Sequence, residues 1–244
     1  MRKTLHFLTL LLLIISIGGC AKPRSVKLPP VTEGWQKPSS ARNAYIVQEK
    51  DTLYSIAWAF GVDYRYLAEL NNIKAPYALR RGQRLHINPL SSRSSVKYQT
   101  KSPKPLSELR YSVMDSSTKP LSGWIWPTAG KVVAKFNNKL GGNKGIDIVG
   151  GNNQPVLACN HGIVVYSGTG IRSYGKLIII KHSDDYLSAY AYNQEMLVSE
   201  GQEVKARQKI AIMGKDNDGK TALHFEIRRF GKPVDPLLYL PRKS

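Results

Sequence analysis

The sequence has few cysteines, few acidic residues and no apolar run long enough to span a membrane. Two cysteines in 244 residues exclude a disulfide-rich scaffold. Only 17 Asp and Glu face 36 Lys and Arg, which gives a net charge of +19. That charge favours a polyanionic partner, but alone it does not choose among nucleic acid, acidic wall polymers and anionic lipid headgroups. Because 42% of the residues are hydrophobic, the chain can still bury a core.

The N-terminus has the pattern of an export signal. Met1-Arg2-Lys3 precedes an apolar stretch of 11 residues from Phe7 to Ile17. A secretory signal core needs about 7 to 15 apolar residues, whereas a spanning helix needs about 20. Export argues against nucleic acid as the partner.

The end of this segment, Ile17-Gly18-Gly19-Cys20, resembles a bacterial lipobox. The alternative is an ordinary signal with a chance cysteine. The resemblance implies that residues 1–20 are a lipoprotein signal peptide and that the Cys20 thiol is lipidated. Ala21 rather than Asp follows Cys20, which by the same resemblance favours lipid anchoring in the outer membrane, facing the periplasm.

Two basic linkers divide the rest of the chain. Residues 21–43 hold five Lys or Arg against one Glu, and residues 89–121 hold six against two acidic residues. Both are rich in Ser and Pro and lack apolar periodicity, which is typical of extended tethers. They bracket two predicted folded units, residues 44–88 and residues 122–244.

The first unit has the order strand, helix, helix, strand. Asp51 and Thr52 are good helix-capping residues before a first segment with helical apolar spacing, which Gly61 ends. Asp63 can cap a second such segment. A unit of this size without disulfides is near the lower limit for folding alone. Most of its apolar residues are therefore expected in the core.

This unit resembles a LysM domain over its whole length, through Tyr45-Ile46-Val47-Gln48, the Asp51-to-Ala57 segment, Leu70-Asn71-Asn72-Ile73 and Gly82-Gln83-Arg84-Leu85. The resemblance implies peptidoglycan binding through N-acetylglucosamine-containing glycan, in a groove between the loop before the first helix and the loop after the second. The expected glycan-binding residues are Asp51, Thr52, Leu53, Asn71, Asn72 and Ile73. Lys50 departs from the family, which usually has Gly there.

The second unit has the texture of a mostly antiparallel β domain. Short runs of β-branched and apolar residues alternate with Gly and Asn turns from residue 123 onward. In the run from Tyr186 to Tyr192, large rings and small apolar residues alternate and are expected on opposite faces of a strand. The predicted fold class is thus multidomain, with a small α+β LysM (βααβ) domain and a mostly antiparallel β domain.

Common catalytic motifs are missing from this unit. It contains no C-x-x-C pair, H-E-x-x-H helix or G-x-S-x-G elbow. The residues that could carry chemistry are Asp147, His161, His182, His224 and Cys159. Cys159 lies in an apolar stretch, which indicates a small buried residue rather than a nucleophile.

Three of its segments nevertheless resemble the LytM or lysostaphin-type zinc endopeptidases of peptidoglycan. They are Asn143-Lys144-Gly145-Ile146-Asp147, Tyr190-Ala191-Tyr192 and Ala222-Leu223-His224. Active members have His-x-Gly-x-Asp, Tyr-Ala-His and His-x-His there. By this resemblance the first His, the Asp and the last His bind zinc, and the other two His act on the water and the oxyanion.

Asn143, Tyr192 and Ala222 stand where the family has histidines. An amide is a poor zinc ligand, a tyrosine with an ordinary pKa near 10 is a poor base at neutral pH, and alanine has no group to donate. We therefore expect a degenerate peptidase homologue, with no catalytic residues, no bound metal and no cofactor.

The order lipobox, LysM, linker and degenerate LytM-type domain resembles a family of lipoproteins that activate murein hydrolases. The resemblance implies a non-catalytic protein that switches on a periplasmic N-acetylmuramyl-L-alanine amidase for septal wall splitting in cell division. Asn143, Asp147, Tyr192 and His224 are the residues expected to contact this partner. Two alternatives remain open: a zinc endopeptidase in which His182 or His161 supplies the missing ligand, and a passive tether between outer membrane and wall.

Overall fold

The computed structural model describes residues 44–87, 123–183 and 185–242. The predicted signal peptide with Cys20 and both predicted linkers, residues 21–43 and 89–121, lie outside these residues. No helix within the described residues is both long enough and apolar enough to cross a membrane. We refer to residues 44–87 as the N-terminal domain and to residues 123–242 as the C-terminal domain.

The N-terminal domain has the predicted order of strand, helix, helix and strand. Its elements are β1 (Ala44–Ile46), α1 (Leu53–Phe60), α2 (Tyr64–Leu70) and β2 (Arg84–His86), with β1 antiparallel to β2. The Thr52 hydroxyl accepts a hydrogen bond from the Ser55 backbone N–H and so caps α1, which ends at the left-handed Gly61. Asp63 caps α2 in the same way. The predicted caps Thr52 and Asp63 are therefore confirmed, whereas Asp51 does not cap α1, because its carboxylate accepts from Tyr45 and Gln48 instead.

Apolar residues from both helices and both strands form the core of the N-terminal domain. Leu53, Ile56, Leu67 and Leu85 are completely buried in it. Trp58 of α1 is also buried, but it belongs to a different cluster, formed with residues of the C-terminal domain. The described residues of both domains belong to one compact unit of the chain.

The C-terminal domain is built from antiparallel strands. They are β3 (Lys131–Ala134), β4 (Ile146–Val149), β5 (Pro155–Leu157), β6 (Gly162–Gly168), β7 (Leu177–Lys181), β8 (Tyr186–Ala191), β9 (Asn193–Met196), β10 (Glu203–Val204), β11 (Lys209–Met213), β12 (Ala222–Arg229) and β13 (Lys232–Val234). The large sheet has the order β10-β6-β7-β8-β12-β4-β3, with β13 also paired to β12, and the small sheet has the order β5-β11-β9. The predicted fold class is confirmed.

Alternation along β12 gives the large sheet two different faces. Leu223, Phe225 and Ile227 point into the main core, which includes residues of the small sheet such as Val156 and Ile210. The intervening residues of β12 therefore point to the opposite face. On that second face, Leu177, Ile179, Leu187, Ala189 and Ala191 form a separate buried cluster that includes Trp58.

A group of polar side chains lies inside the main core. The His182 ring lies between the carbonyl oxygen of His161, 2.6 Å from Nδ1, and the Ser188 hydroxyl, 2.7 Å from Nε2. The Tyr190 hydroxyl donates to the Cys159 sulfur at 2.8 Å. Burial lowers the pKa of His182 to about 4 and raises the pKa of the Cys159 thiol to about 12, so both groups are neutral near pH 7. Cys159 is a buried structural residue, as its apolar surroundings in the sequence indicate.

The depressed pKa of His182 predicts acid sensitivity of the fold. In the unfolded chain His182 titrates near pH 6.5, whereas in the folded chain it titrates near pH 4, so the unfolded state binds the proton more tightly. Its contribution is complete above about pH 6.5 and is lost as the pH falls from there to about 4. The corresponding decrease in the free energy of unfolding is at most about 3 kcal/mol.

Urea unfolding of the wild type and of His182→Gln, at pH values between about 6.5 and 4, measures this decrease. The variant, whose amide stays neutral, should lose less stability on acidification, and parallel curves for the two proteins would contradict the assignment.

Candidate functional site

The floor of the candidate site is formed by two neighbouring strands of the large sheet. In the antiparallel pairing of β4 with β12, Asp147 lies directly opposite His224. On the other side of β12, His224 lies opposite Ala191, the last residue of β8. Strand pairing thus brings together two residues that are 77 positions apart in the sequence, as the resemblance implies.

Asp147 and His224 bind each other directly. His224 Nδ1 lies 2.6 Å from Asp147 Oδ1, and His224 Nε2 lies 3.1 Å from Glu226 Oε1. Since carboxylate oxygens only accept hydrogen bonds, both ring nitrogens donate and the ring carries a positive charge. Burial alone would lower the pKa of His224, but these two carboxylates raise it to about 9.

Behind His224 lies a buried ion pair that sequence reasoning missed. Glu226 is completely buried, and its Oε2 accepts from Arg228 Nε at 3.0 Å, while its Oε1 also accepts from the Tyr174 hydroxyl at 2.6 Å. Burial would raise the pKa of Glu226, but the charges of Arg228 and His224 lower it to about 2. The signal was present in the alternation of β12, where His224, Glu226 and Arg228 share one face.

Tyr192 has a backbone conformation that the sequence pattern did not predict. Strict alternation would place it on the Tyr190 side, in the main core. Tyr192 instead follows the end of β8 with a left-handed φ of 63°, and its ring centroid lies 5.9 Å from that of His224. Its partly buried hydroxyl accepts from Asn217 Nδ2 at 3.4 Å, and burial followed by the charge of Asp147 raises its pKa to about 12. At neutral pH it is an uncharged phenol.

Asn143 and Ala222 complete the set of replaced positions. Asn143 Nδ2 donates to Asp147 Oδ2 at 3.4 Å, and Asn143 Oδ1 accepts from the Gly145 backbone N–H. Ala222 is buried and lies two residues before His224 on the same face of β12. The structure therefore groups Asn143, Asp147, Tyr192 and His224, the four residues expected from the sequence.

The donor set at this site does not fit a hydrolytic zinc ion. Such an ion keeps three protein ligands and a water molecule. Asp147 and His224 are conventional ligands, but the third position holds the neutral amide of Asn143. Among the described residues, no three His, Cys, Asp or Glu side chains are grouped so that they could hold a metal. The site is one ligand short.

His161 and His182 do not join this site. The contacts of the His182 ring are to the His161 carbonyl, Ser188 and Trp124, which lie with the main core rather than with Asp147 and His224. His161 lies beside His182, because its carbonyl oxygen is the partner of His182 Nδ1, and its backbone N–H donates to the Asn160 side chain. Neither ring supplies the missing ligand in this arrangement.

The six residues expected to bind glycan fall into two groups. Asn71, Asn72 and Ile73 line a cavity of about 710 Å³ together with three cationic residues, Lys74, Arg80 and Arg81. Asn72 is exposed and has a left-handed φ of 54°, whereas the Asn71 side chain binds the backbone of β2 at His86.

The other three expected glycan-binding residues have structural contacts. Leu53 is fully buried in the core of the N-terminal domain. The Asp51 carboxylate accepts from the Tyr45 hydroxyl at 2.6 Å and from the Gln48 backbone N–H at 2.7 Å. The Thr52 hydroxyl caps α1 and donates to the Val165 carbonyl of the C-terminal domain at 3.2 Å. These three residues do not line the cavity.

Two protein-family models match the chain, and together they define its class. The LysM domain model matches residues 45–88, and the Peptidase family M23 model matches residues 141–236. The protein is thus a LysM protein with an M23-type domain, and both domain resemblances expected from the sequence are confirmed.

Curated relatives extend this likeness over most of the chain. Murein hydrolase activator NlpD of Escherichia coli K12 is 42% identical over 265 residues, which cover 85% of this chain and 70% of the relative. The lipoprotein NlpD/LppB homolog of Pseudomonas aeruginosa is 40% identical, and the alignment covers 94% of this chain and 84% of the relative. Outer membrane antigenic lipoprotein B of Haemophilus influenzae is 35% identical over 93% of this chain and 73% of the relative. The chain belongs to the NlpD family of murein hydrolase activators, which gives it a role at peptidoglycan.

The donor set predicts how zinc binding responds to one substitution. Asn143→His supplies the third ligand, and we expect it to raise zinc affinity by about tenfold or more over the wild type. Tyr192→His is the matched control, because the resemblance gives that position no ligand role, and its zinc affinity should stay close to that of the wild type. Isothermal titration with zinc measures all three proteins. Stoichiometric, tight zinc binding by the wild type would contradict the donor-set argument.

Proposed function

We propose that this protein is a non-catalytic lipoprotein that activates a periplasmic N-acetylmuramyl-L-alanine amidase for septal wall splitting. The observation that carries the proposal is the composition of the site. Asp147 and His224 bind each other, and the other three positions, where active family members have histidine, hold Asn143, Tyr192 and Ala222. The Escherichia coli relative is named a murein hydrolase activator, which supports the same role.

The chemistry of the site supports a docking surface better than a hydrolytic one. Tyr192 is neutral at physiological pH because its pKa is raised to about 12, so it is a poor general base. His224 is protonated and held by two carboxylates, and Ala222 has no polar group. The site instead offers a partly exposed Asp147 carboxylate, the Asn143 amide and the Tyr192 phenol as hydrogen-bonding groups for a protein partner.

Activation requires that the protein discriminate between two states of the amidase. A ligand shifts a conformational equilibrium only by the difference between its affinities for the two states. In the proposal, the surface around Asn143, Asp147, Tyr192 and His224 binds the active state of the amidase more tightly than the inhibited state. No hydrolytic step by this protein is needed.

The N-terminal domain would hold the activator on the wall. Its LysM match implies peptidoglycan binding. We place the glycan at the cavity lined by Asn71, Asn72 and Ile73, where the exposed Asn72 amide can meet sugar hydroxyls and acetamides. With lipidation of Cys20, the protein would be anchored in the outer membrane and face the periplasm. The relatives of Pseudomonas aeruginosa and Haemophilus influenzae are both named lipoproteins, which supports this anchoring.

The activation proposal is tested by adding the soluble chain, from residue 21 onward, to dye-labelled peptidoglycan with and without candidate periplasmic amidases. Alone it should release no dye, and with its amidase it should accelerate release. Tyr192→Glu places a negative charge beside Asp147 and should weaken activation by about tenfold, whereas Tyr192→Phe retains the ring over His224 and should weaken it less. Circular dichroism checks that both variants fold.

Three outcomes would contradict the proposal. Full activation by folded Tyr192→Glu would exclude this docking surface. Dye release without amidase would indicate a zinc endopeptidase, and no stimulation of any amidase would indicate a passive tether.

Glycan binding is tested by co-sedimentation of the same soluble chain with purified sacculi. Asn72→Gly removes the exposed amide at a left-handed position that glycine adopts without strain, and it should reduce the bound fraction several-fold. Glu69→Gln, an exposed change on α2 outside the cavity, is the control and should bind as the wild type does. Binding by the wild type should persist at high salt. If it disappears there, the basic linkers rather than the cavity retain the protein.

A further inference from the structure

The helix α1 of the N-terminal domain packs on the face of the large sheet that carries the candidate site. Trp58 is 2% exposed and is buried among Leu177, Ile179 and Leu187 of the C-terminal domain. It does not belong to the hydrophobic core of its own domain. The burial of this large side chain therefore depends on the contact between the two domains.

Trp58 contacts the C-terminal domain through Arg228 in two ways. Arg228 Nη1 donates to the Trp58 carbonyl oxygen at 2.7 Å, and the guanidinium carbon lies 3.6 Å from the centroid of the Trp58 ring. A cation over an indole face is attracted to it, and the attraction strengthens when water is excluded. Arg228 is only 4% exposed, so one residue of α1 contacts a buried guanidinium through both its backbone carbonyl and its ring.

From Arg228 the contacts continue without a gap to the floor of the site. Arg228 binds Glu226, whose other carboxylate oxygen lies 3.1 Å from His224 Nε2. His224 in turn binds Asp147 through Nδ1. Because Glu226 is completely buried, its orientation is set by these partners and by Tyr174 rather than by water.

We propose that Trp58 is a positioning residue for the candidate site: it fixes Arg228, and through Glu226 it fixes the His224 ring. The N-terminal domain is then part of the site's construction as well as a wall-binding module. The effect on amidase activation rests on the function proposed above, but the effect on His224 does not.

Two substitutions of similar apolar volume isolate the role of the Trp58 ring. Trp58→Leu keeps an apolar side chain in the interface but removes the ring face over the guanidinium, whereas Trp58→Phe retains one. Arg228→Lys removes the guanidinium, and with it both the contact with Trp58 and the hydrogen bonds to Glu226, so it shows the His224 shift expected when Glu226 loses its positioned partner. Lys232→Ala is the control: its Nζ donates to the Gly61 carbonyl at 3.1 Å, across the same interface but without touching Glu226.

The readout is the set of His224 ring resonances, recorded by NMR on the soluble chain from residue 21 at one pH, beside the amidase assay. We expect Trp58→Leu and Arg228→Lys to shift the His224 ring nitrogen and proton signals and to lower activation several-fold. Trp58→Phe should restore both toward the wild type, and Lys232→Ala should change neither.

The inference is overturned if folded Trp58→Leu leaves the His224 signals unchanged, or if Lys232→Ala shifts them as much. Should Trp58→Leu fail to fold, Trp58→Met, which also lacks a ring, takes its place in the comparison with Trp58→Phe and decides in the same way. If the wild type stimulates no amidase, the proposed function fails, whereas the NMR comparison still tests the role of Trp58.

Discussion

The interaction on which the candidate site depends is the burial of the Glu226 carboxylate between two cations. A lone carboxylate without solvent contact would be neutral or would destabilise the fold, since its desolvation is not repaid. Arg228 on one side and protonated His224 on the other compensate it, and the Tyr174 hydroxyl supplies a further hydrogen bond. The Asp147 carboxylate binds the other ring nitrogen of His224 and balances its positive charge. Among these charged groups, Asp147 is the one nearest to solvent. Acidic and basic groups thus alternate from the interior to the surface of the site.

This alternation links the two domains to the chemistry of the site. Arg228 is satisfied partly by Glu226 and partly by the backbone and ring of Trp58, so its compensation comes from both domains. Further contacts join them, including the Thr52 hydroxyl with the Val165 carbonyl and Arg65 with Asp185. Arg65 and Asp185 are both partly exposed, so that ion pair contributes little energy. The apolar burial of Trp58 is the larger contribution.

Local sequence features predicted the elements well, because their causes are local. Thr52, Gly61 and Asp63 define helix ends through contacts within a few residues, and strand alternation places Tyr190 in the core. The resemblance also located Asp147 and His224 correctly as neighbours. The left-handed backbone of Tyr192 escaped prediction, since alternation carries no information on where a strand ends. Two contacts were not predicted either: that of Thr52 with Val165 and that of Trp58 with Arg228. Each joins two residues that are more than 100 positions apart and that belong to different domains.

The pairing of β12 in the middle of the large sheet has a consequence for how such a protein can change over evolutionary time. Because Leu223, Phe225 and Ile227 lock one side of the strand into the main core, a shift by one residue would expose them and is strongly disfavoured. The backbone of the opposite side is therefore held at fixed spacing. Single substitutions outside its buried ion pairs, at Ala222 or at the neighbouring Asn143 and Tyr192, can alter what the surface recognises while the strand keeps its register, so an ancestral scaffold can acquire a new role without being rebuilt.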